Sequence, residues 1–145
     1  MTRLSPWARR HARRAALQAV YQWQMTAAES RHIEQEFADA GALKKADREF
    51  FQALLRGVVQ DSAELDALLH PMLDRSLASL DKVELALLRL GAYELKHRID
   101  VPYRVVIDEY VELARQFGAQ DSFKYVNGVL DRLAAELRAL ERAGS

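Results

Sequence analysis

Apolar residues recur along this chain at helical rather than alternating spacing. Ser5-Pro6 suits a helix start, with serine as the cap and proline in the first turn, and a first helix is predicted to run to about Ala27. Ile33 and Phe37, at i and i+4, predict a short second helix over residues 29–40, closed by Gly41. A third helix is expected from near Lys44, carrying Phe50, Leu54, Val58, Leu65 and Leu69. Pro71 stops or kinks it and biases His70 out of helical geometry, which places a subdomain boundary near there.

A short helical piece over residues 72–80 then leads to Asp81 and Glu84, spaced like a capping box. Val83 to Leu95 is apolar nearly all round, the mark of a central buried helix. Gly91 inside it costs about 1 kcal/mol against alanine, and close packing on another helix would explain it. After Pro102, the residues Val106, Tyr110, Leu113 and Phe117 form a stripe that Gly118 ends. Asp121 or Ser122 is expected to cap a last helix with a seam of Val126, Val129, Leu130, Leu133, Leu137 and Leu140. The prediction is an all-α protein.

Composition agrees and narrows the chemistry. Six glycines and three prolines in 145 residues favour helices, and the length fits one domain or two small subdomains. With no cysteine there is no disulfide and no thiolate chemistry. No run approaches the ~18 apolar residues of a membrane span, and the basic N-terminus lacks a signal-type apolar segment, so a cytoplasmic protein that inserts in no membrane is expected. His11, His32, His70 and His97 stand singly, without metal-ligand spacing. No glycine loop of phosphate-cradling type occurs. Asp108 and Glu109 point about 100° apart on a helix, a poor arrangement for a paired acid and base. The expectation is a protein with no catalytic residues, no metal and no cofactor.

Charge supplies the positive signal. Lysine plus arginine and aspartate plus glutamate both number 21, yet residues 1–28 hold five arginines and no acid, leaving 16 basic against 21 acidic in the remainder. Arg9, Arg10, Arg13 and Arg14 occupy one arc of the first helix, which continues into Leu17, Val20 and Tyr21. Cations at a helix N-terminus are unfavourable by roughly 0.3–1 kcal/mol each where exposed, so function is the expected reason for them. Guanidinium forks suit phosphate, and nucleic acid is the implied partner. Trp7 either stacks on a base or staples the helix entry, while Trp23 reads as core. Lys124 and Tyr125, a cation and an aromatic in an exposed first turn beside Asp121, suit a phosphate and a stacked base. Asn127 and Gly128 read equally well as a site or as a place where two helices approach closely.

Four blocks in this order carry a resemblance. They are Arg9-Arg10 and Arg13 followed by residues 16–24 (Ala-Leu-Gln-Ala-Val-Tyr-Gln-Trp-Gln), then Val83 to Leu95, then Asp100-Val-Pro-Tyr, then Phe117 to Asp131. The chain resembles the NusB family of bacterial transcription antitermination factors over about residues 8 to 135. The resemblance implies a single domain over residues 1–145 with about seven helices in two three-helix subdomains, residues 6–70 and 71–142. It implies binding of single-stranded boxA RNA from ribosomal RNA operons, together with a small-subunit ribosomal protein, within an RNA polymerase antitermination complex.

By the same resemblance the arginine-rich motif falls on Arg9, Arg10 and Arg13, with His11 where the family often has another arginine. Gln18 and Tyr21 match first-helix positions near that surface. Lys124 and Tyr125 match a second RNA-facing element with Asp121 beside it, and Glu84 is expected at the ribosomal-protein contact. Residues 4–7 match no pattern of the family. One rival reading is an RNA-targeting module related to ribosomal RNA methyltransferases. Another is a protein-only scaffold or homodimer whose arginines meet an acidic partner.

Overall fold

The computed structural model describes residues 5–144, so Leu4 lies outside the described part. Eight α-helices and two 3-10 turns occur among these residues, with no strand. They form two compact units, the first ending at Asp61 and the second beginning at Ser62.

The first unit holds α1 (Pro6–Thr26), α2 (Ser30–Asp39) and α3 (Arg48–Gln60). Ser5 caps α1 by accepting from the Ala8 N–H at 3.2 Å, and Ala27 ends it in the left-handed region. The inward face of α1 is built from small residues, with Ala12, Ala16, Ala19 and Val20 completely buried, which lets α3 pack closely. Against it lie Phe50, Phe51, Leu54, Leu55 and Val58, with Ile33 contributed by α2. Phe37 stacks on Phe51 at 5.8 Å, and Arg56 grips Glu34 through two hydrogen bonds of 2.8 Å.

The expected long third helix is two helices. Its start is Arg48, not Lys44, because Asp47 caps α3 by accepting from the Phe50 N–H at 3.0 Å. It breaks at Asp61 (φ −103), and α4 (Ser62–Leu69) belongs to the second unit. The division between units thus falls one helix before the expected His70–Pro71 boundary. His70, Pro71 and Met72 make a 3-10 turn, and beyond Met72 the piece expected over residues 72–80 is helical at Leu77–Ser79 alone, again as 3-10.

The second unit is organised around α5 (Lys82–His97), which packs on α4, on α6 (Tyr103–Phe117) and on α7 (Ser122–Leu137). Leu85, Leu87, Leu88, Leu90 and Leu95 are buried along it. A Cβ at Gly91 would come within 2.8 Å of both Leu130 methyl carbons, so α7 packs where only glycine fits. Arg89 clasps Asp66 of α4 at 2.8–2.9 Å.

The expected last seam stops short. Arg138 (φ −122) ends α7, so Leu140 falls on α8 (Ala139–Ala143), where it is 93% exposed. Phe117, the expected end of the α6 stripe, is likewise exposed, since α6 terminates there. Arg138 itself is only 4% exposed. Its Nε donates to the Leu95 carbonyl at 2.8 Å, Nη2 to the Glu94 and Arg98 carbonyls at 3.2 and 3.0 Å, and Nη1 to the Val101 carbonyl at 3.0 Å. Nη1 also meets Glu141 Oε1 at 2.6 Å. The other Glu141 oxygen accepts from the Tyr103 N–H at 2.9 Å, capping α6 where Pro102 has no side chain to do so.

Replacing Arg138 by methionine strands these carbonyls, and stability measured by urea denaturation is expected to fall by about 3–5 kcal/mol. The Tyr103 N–H first, and Arg138 after it, hold the Glu141 carboxyl below its ordinary value. A lowered folded-state value gives stability that is complete above the unfolded-chain value and lost as pH falls through the folded one. Glu141→Gln should therefore lower stability at neutral pH and narrow the stability difference between neutral pH and about pH 3. Parallel acid denaturation curves for the two proteins would contradict this.

Candidate nucleic-acid interface

The four arginines of α1 do not share one fate. Arg9 and Arg13, a turn apart, turn inward onto a single ring, their guanidinium carbons 4.5 and 4.9 Å from the Phe50 centroid. Arg9 Nε lies 3.7 Å from Oδ2 of Asp47, the residue that caps α3 and whose own N–H donates to the Ala8 carbonyl at 3.0 Å. Arg13 is 3% exposed, so it does not project towards a ligand as the sequence suggested. Its stem and fork belong to the packing of α1 on α3.

Arg10 and Arg14 are exposed. With Trp7, Gln18 and Tyr21 they follow one another at steps of three or four residues, so they line one outward face, and all five are exposed. Trp7 is 60% exposed and Tyr21 39%. Trp23 is half-buried. His11 lies between the two faces: its ring meets Trp7 edge to face at 4.7 Å, and its Nε2 is buried without a hydrogen-bond partner.

The second unit contributes its own cluster at the start of α7. Gly118 closes α6 through its N–H to the Ala114 carbonyl at 2.8 Å, and a Cβ there would meet that carbonyl at 2.7 Å and Ser122 Cβ at 2.9 Å. This tight turn puts Asp121 in the left-handed region (φ 69), where its side chain caps nothing. Its carboxylate instead lies 3.6 Å from Lys124 Nζ, both groups being exposed. Ser122 is no cap either. It is buried and donates to Glu84 Oε2 at 2.7 Å, tying α7 to α5. Of the expected capping box only the Asp81 half forms, with Oδ1 accepting from the Val83 and Glu84 N–H groups at 2.8 and 3.1 Å.

Tyr125 is half-buried, and the Arg75 guanidinium covers its ring at 4.4 Å. Arg75 in turn is held by Asp74 at 2.8 Å. That guanidinium keeps the Asp74 carboxyl below its ordinary value, while burial pushes the Tyr125 phenol up. The neighbouring Phe123 ring is covered by Arg115 at 4.1 Å. Each aromatic ring in this turn therefore carries an arginine on its face. Nothing in the local sequence pattern marks Arg75 and Arg115, because each meets its ring from another segment of the chain. Asn127 is exposed, and a Cβ at Gly128 would touch only Arg132 Nη1 at 3.4 Å, so close helix approach does not explain that glycine.

These two cationic surfaces, one in each unit, are the chemistry available: guanidinium and ammonium groups for phosphate on both, and the exposed rings of Trp7 and Tyr21 for bases on the first. Comparison with known proteins agrees on a single family. The NusB family model matches residues 10–135. Transcription antitermination protein NusB of Hahella chejuensis is 55% identical over 137 residues, covering 94% of this chain and 92% of that protein. The NusB of Alcanivorax borkumensis is 57% identical over 137 residues, with 94% and 91% covered. Among solved structures, T. maritima NusB superposes with a TM-score of 0.81 at 33% identity, over 92% of this chain and 94% of that one. A structure of antitermination factors NusB and NusE in complex with dsRNA matches with a TM-score of 0.78 at 26% identity, over 86% of this chain and 93% of that one. On the family match and on the identity to these relatives along almost the whole chain, the protein belongs to the NusB family of transcription antitermination proteins.

Proposed function

We propose that the chain binds boxA RNA of ribosomal RNA operons together with a small-subunit ribosomal protein, and so sustains their transcription by RNA polymerase. In this reading it acts in the cytoplasm by binding alone and catalyses no reaction. The observation that carries it is the outward face of α1, where Arg10 and Arg14 stand exposed in a segment whose first 28 residues hold no acid. The solved relative in complex with NusE and dsRNA supports an RNA and a protein as the classes of partner. Lys124, with Tyr125 and Arg75, serves as the second RNA contact. Glu84, half-buried beside the start of α7, is assigned to the ribosomal protein, and the excess of acids beyond residue 28 suits a basic partner.

Titration with single-stranded boxA RNA, a scrambled strand and a duplex, each with and without the ribosomal partner, tests the reading. Tighter binding to boxA, tightened again by the partner, is expected. Equal binding to all three RNAs, unaffected by the partner, would reduce the surface to a general polyanion site.

The division of the arginines gives a sharper expectation. Arg10→Ala with Arg14→Ala should weaken RNA binding and flatten the slope of log affinity against log salt by about 1.4, or about 0.7 for each phosphate no longer neutralised, in a protein that stays folded by circular dichroism. Arg13→Ala should instead lower folding stability by about 2 kcal/mol through removal of its desolvated stack on Phe50. An unaltered salt slope in the double variant would remove Arg10 and Arg14 from the interface.

A further inference from the structure

We propose that Trp7 is a base-stacking residue of this interface, extending it beyond the N-terminal limit of the family match at residue 10. The inference rests on the RNA-binding reading above and adds a specific contact to it. Trp7 holds one of the largest apolar side chains in the protein, yet it is 60% exposed. A helix-entry staple does not account for it. That device pairs the residue before the cap with the fourth residue of the helix. With Ser5 as cap and Pro6 as the first helical residue, Trp7 is the second helical residue and so occupies neither position.

What holds the indole is His11, one turn on, through the edge-to-face contact at 4.7 Å. Such a contact orients a ring while leaving most of it to solvent. The sequence of the face matters as well. Trp7, Arg10, Arg14, Gln18 and Tyr21 run in line, with an aromatic at each end and two guanidiniums between. The ends are 14 residues apart, or about 21 Å along the helix axis. A surface for duplex phosphates needs cations alone. Aromatic faces set on either side of cations match a single strand, whose bases are free to stack while its backbone is neutralised. With no acid in residues 1–28, the strand meets no repelling charge from this segment.

The full-length protein is titrated with single-stranded boxA RNA as wild type, Trp7→Phe and Trp7→Leu. Phenylalanine keeps a π-face, whereas leucine keeps only apolar bulk. Trp7→Leu is expected to weaken binding about tenfold and Trp7→Phe by much less. Both should keep the wild-type salt slope, because stacking releases no counterions. RNA should quench wild-type fluorescence far more than that of Trp7→Phe, in which Trp23 is the one remaining tryptophan.

Wild-type affinity in Trp7→Leu, or equal quenching in wild type and Trp7→Phe, would overturn the assignment while leaving RNA binding intact. A change in sedimentation of Trp7→Leu with unchanged RNA affinity would do the same and mark Trp7 as a protein contact. Absence of RNA binding by the wild type would instead remove the underlying reading, and this assignment with it.

Discussion

One buried guanidinium closes the second unit. A helix leaves its last carbonyls without partners, and a buried helix end needs donors from elsewhere. Arg138 brings the donors of its fork to the carbonyls of Glu94, Leu95, Arg98 and Val101, where α5 ends and the chain turns towards α6. Its charge is balanced by Glu141, whose second oxygen caps the first N–H of α6. A positive group on a helix C-terminus and a negative group on an N-terminus are both the favourable polarity. The short stretch from 138 to 141 thus joins the end of one helix to the start of the next. The position of α7 follows from the same frame, since Gly91 admits Leu130 and Glu84 holds Ser122. The turn that presents Lys124 and Tyr125 is therefore fixed from within the unit.

The first unit uses arginine in a similar double way. A basic run at a helix start works against the helix dipole, and α1 has no acid in its first turn to offset it. Two of the charges are drawn into the structure instead. Arg9 finds Asp47 and Phe50, and Arg13 lies against the same ring. Asp47 caps α3 at the same time, so one carboxylate aligns α3 and receives a cation from α1. For the buried Arg13, the ring quadrupole meets part of the cost of desolvating its guanidinium.

Much of this was legible in the sequence because it is local. Ser5-Pro6 announces the start of α1, Asp81 the start of α5, and Gly91 a close approach, each through chemistry confined to a turn. What was not legible depends on residues far along the chain. Helical spacing runs straight through Asp61, with Val58 and Leu65 two turns apart, and no proline or glycine marks the break there. The seam of α7 likewise points on to Leu140, and only the carbonyls awaiting Arg138 explain why the helix stops. At the site, composition identified a cationic end but not its division. Whether Arg13 or Arg14 faces inward is decided by Phe50 on another helix. Tyr125 read as an open stacking face because Arg75 reaches it from a segment with no periodicity of its own.

That division bears on how the surface works. Arginine-rich segments that are disordered before binding lose part of their interaction energy in ordering the backbone. Here the backbone of α1 is already ordered by its buried alanine face, by the Ser5 cap and by the two inward arginines. In the proposed reading, Arg10, Arg14 and Tyr21 meet RNA from a helix that is already folded, so the ordering cost on binding is confined to side-chain rotamers. Stiff aromatic rings lose less of that freedom than lysine or methionine would. An interface of few residues on a preorganised helix can therefore discriminate between strands by where π-faces and guanidiniums fall, whereas a flexible basic tail would register little beyond total charge.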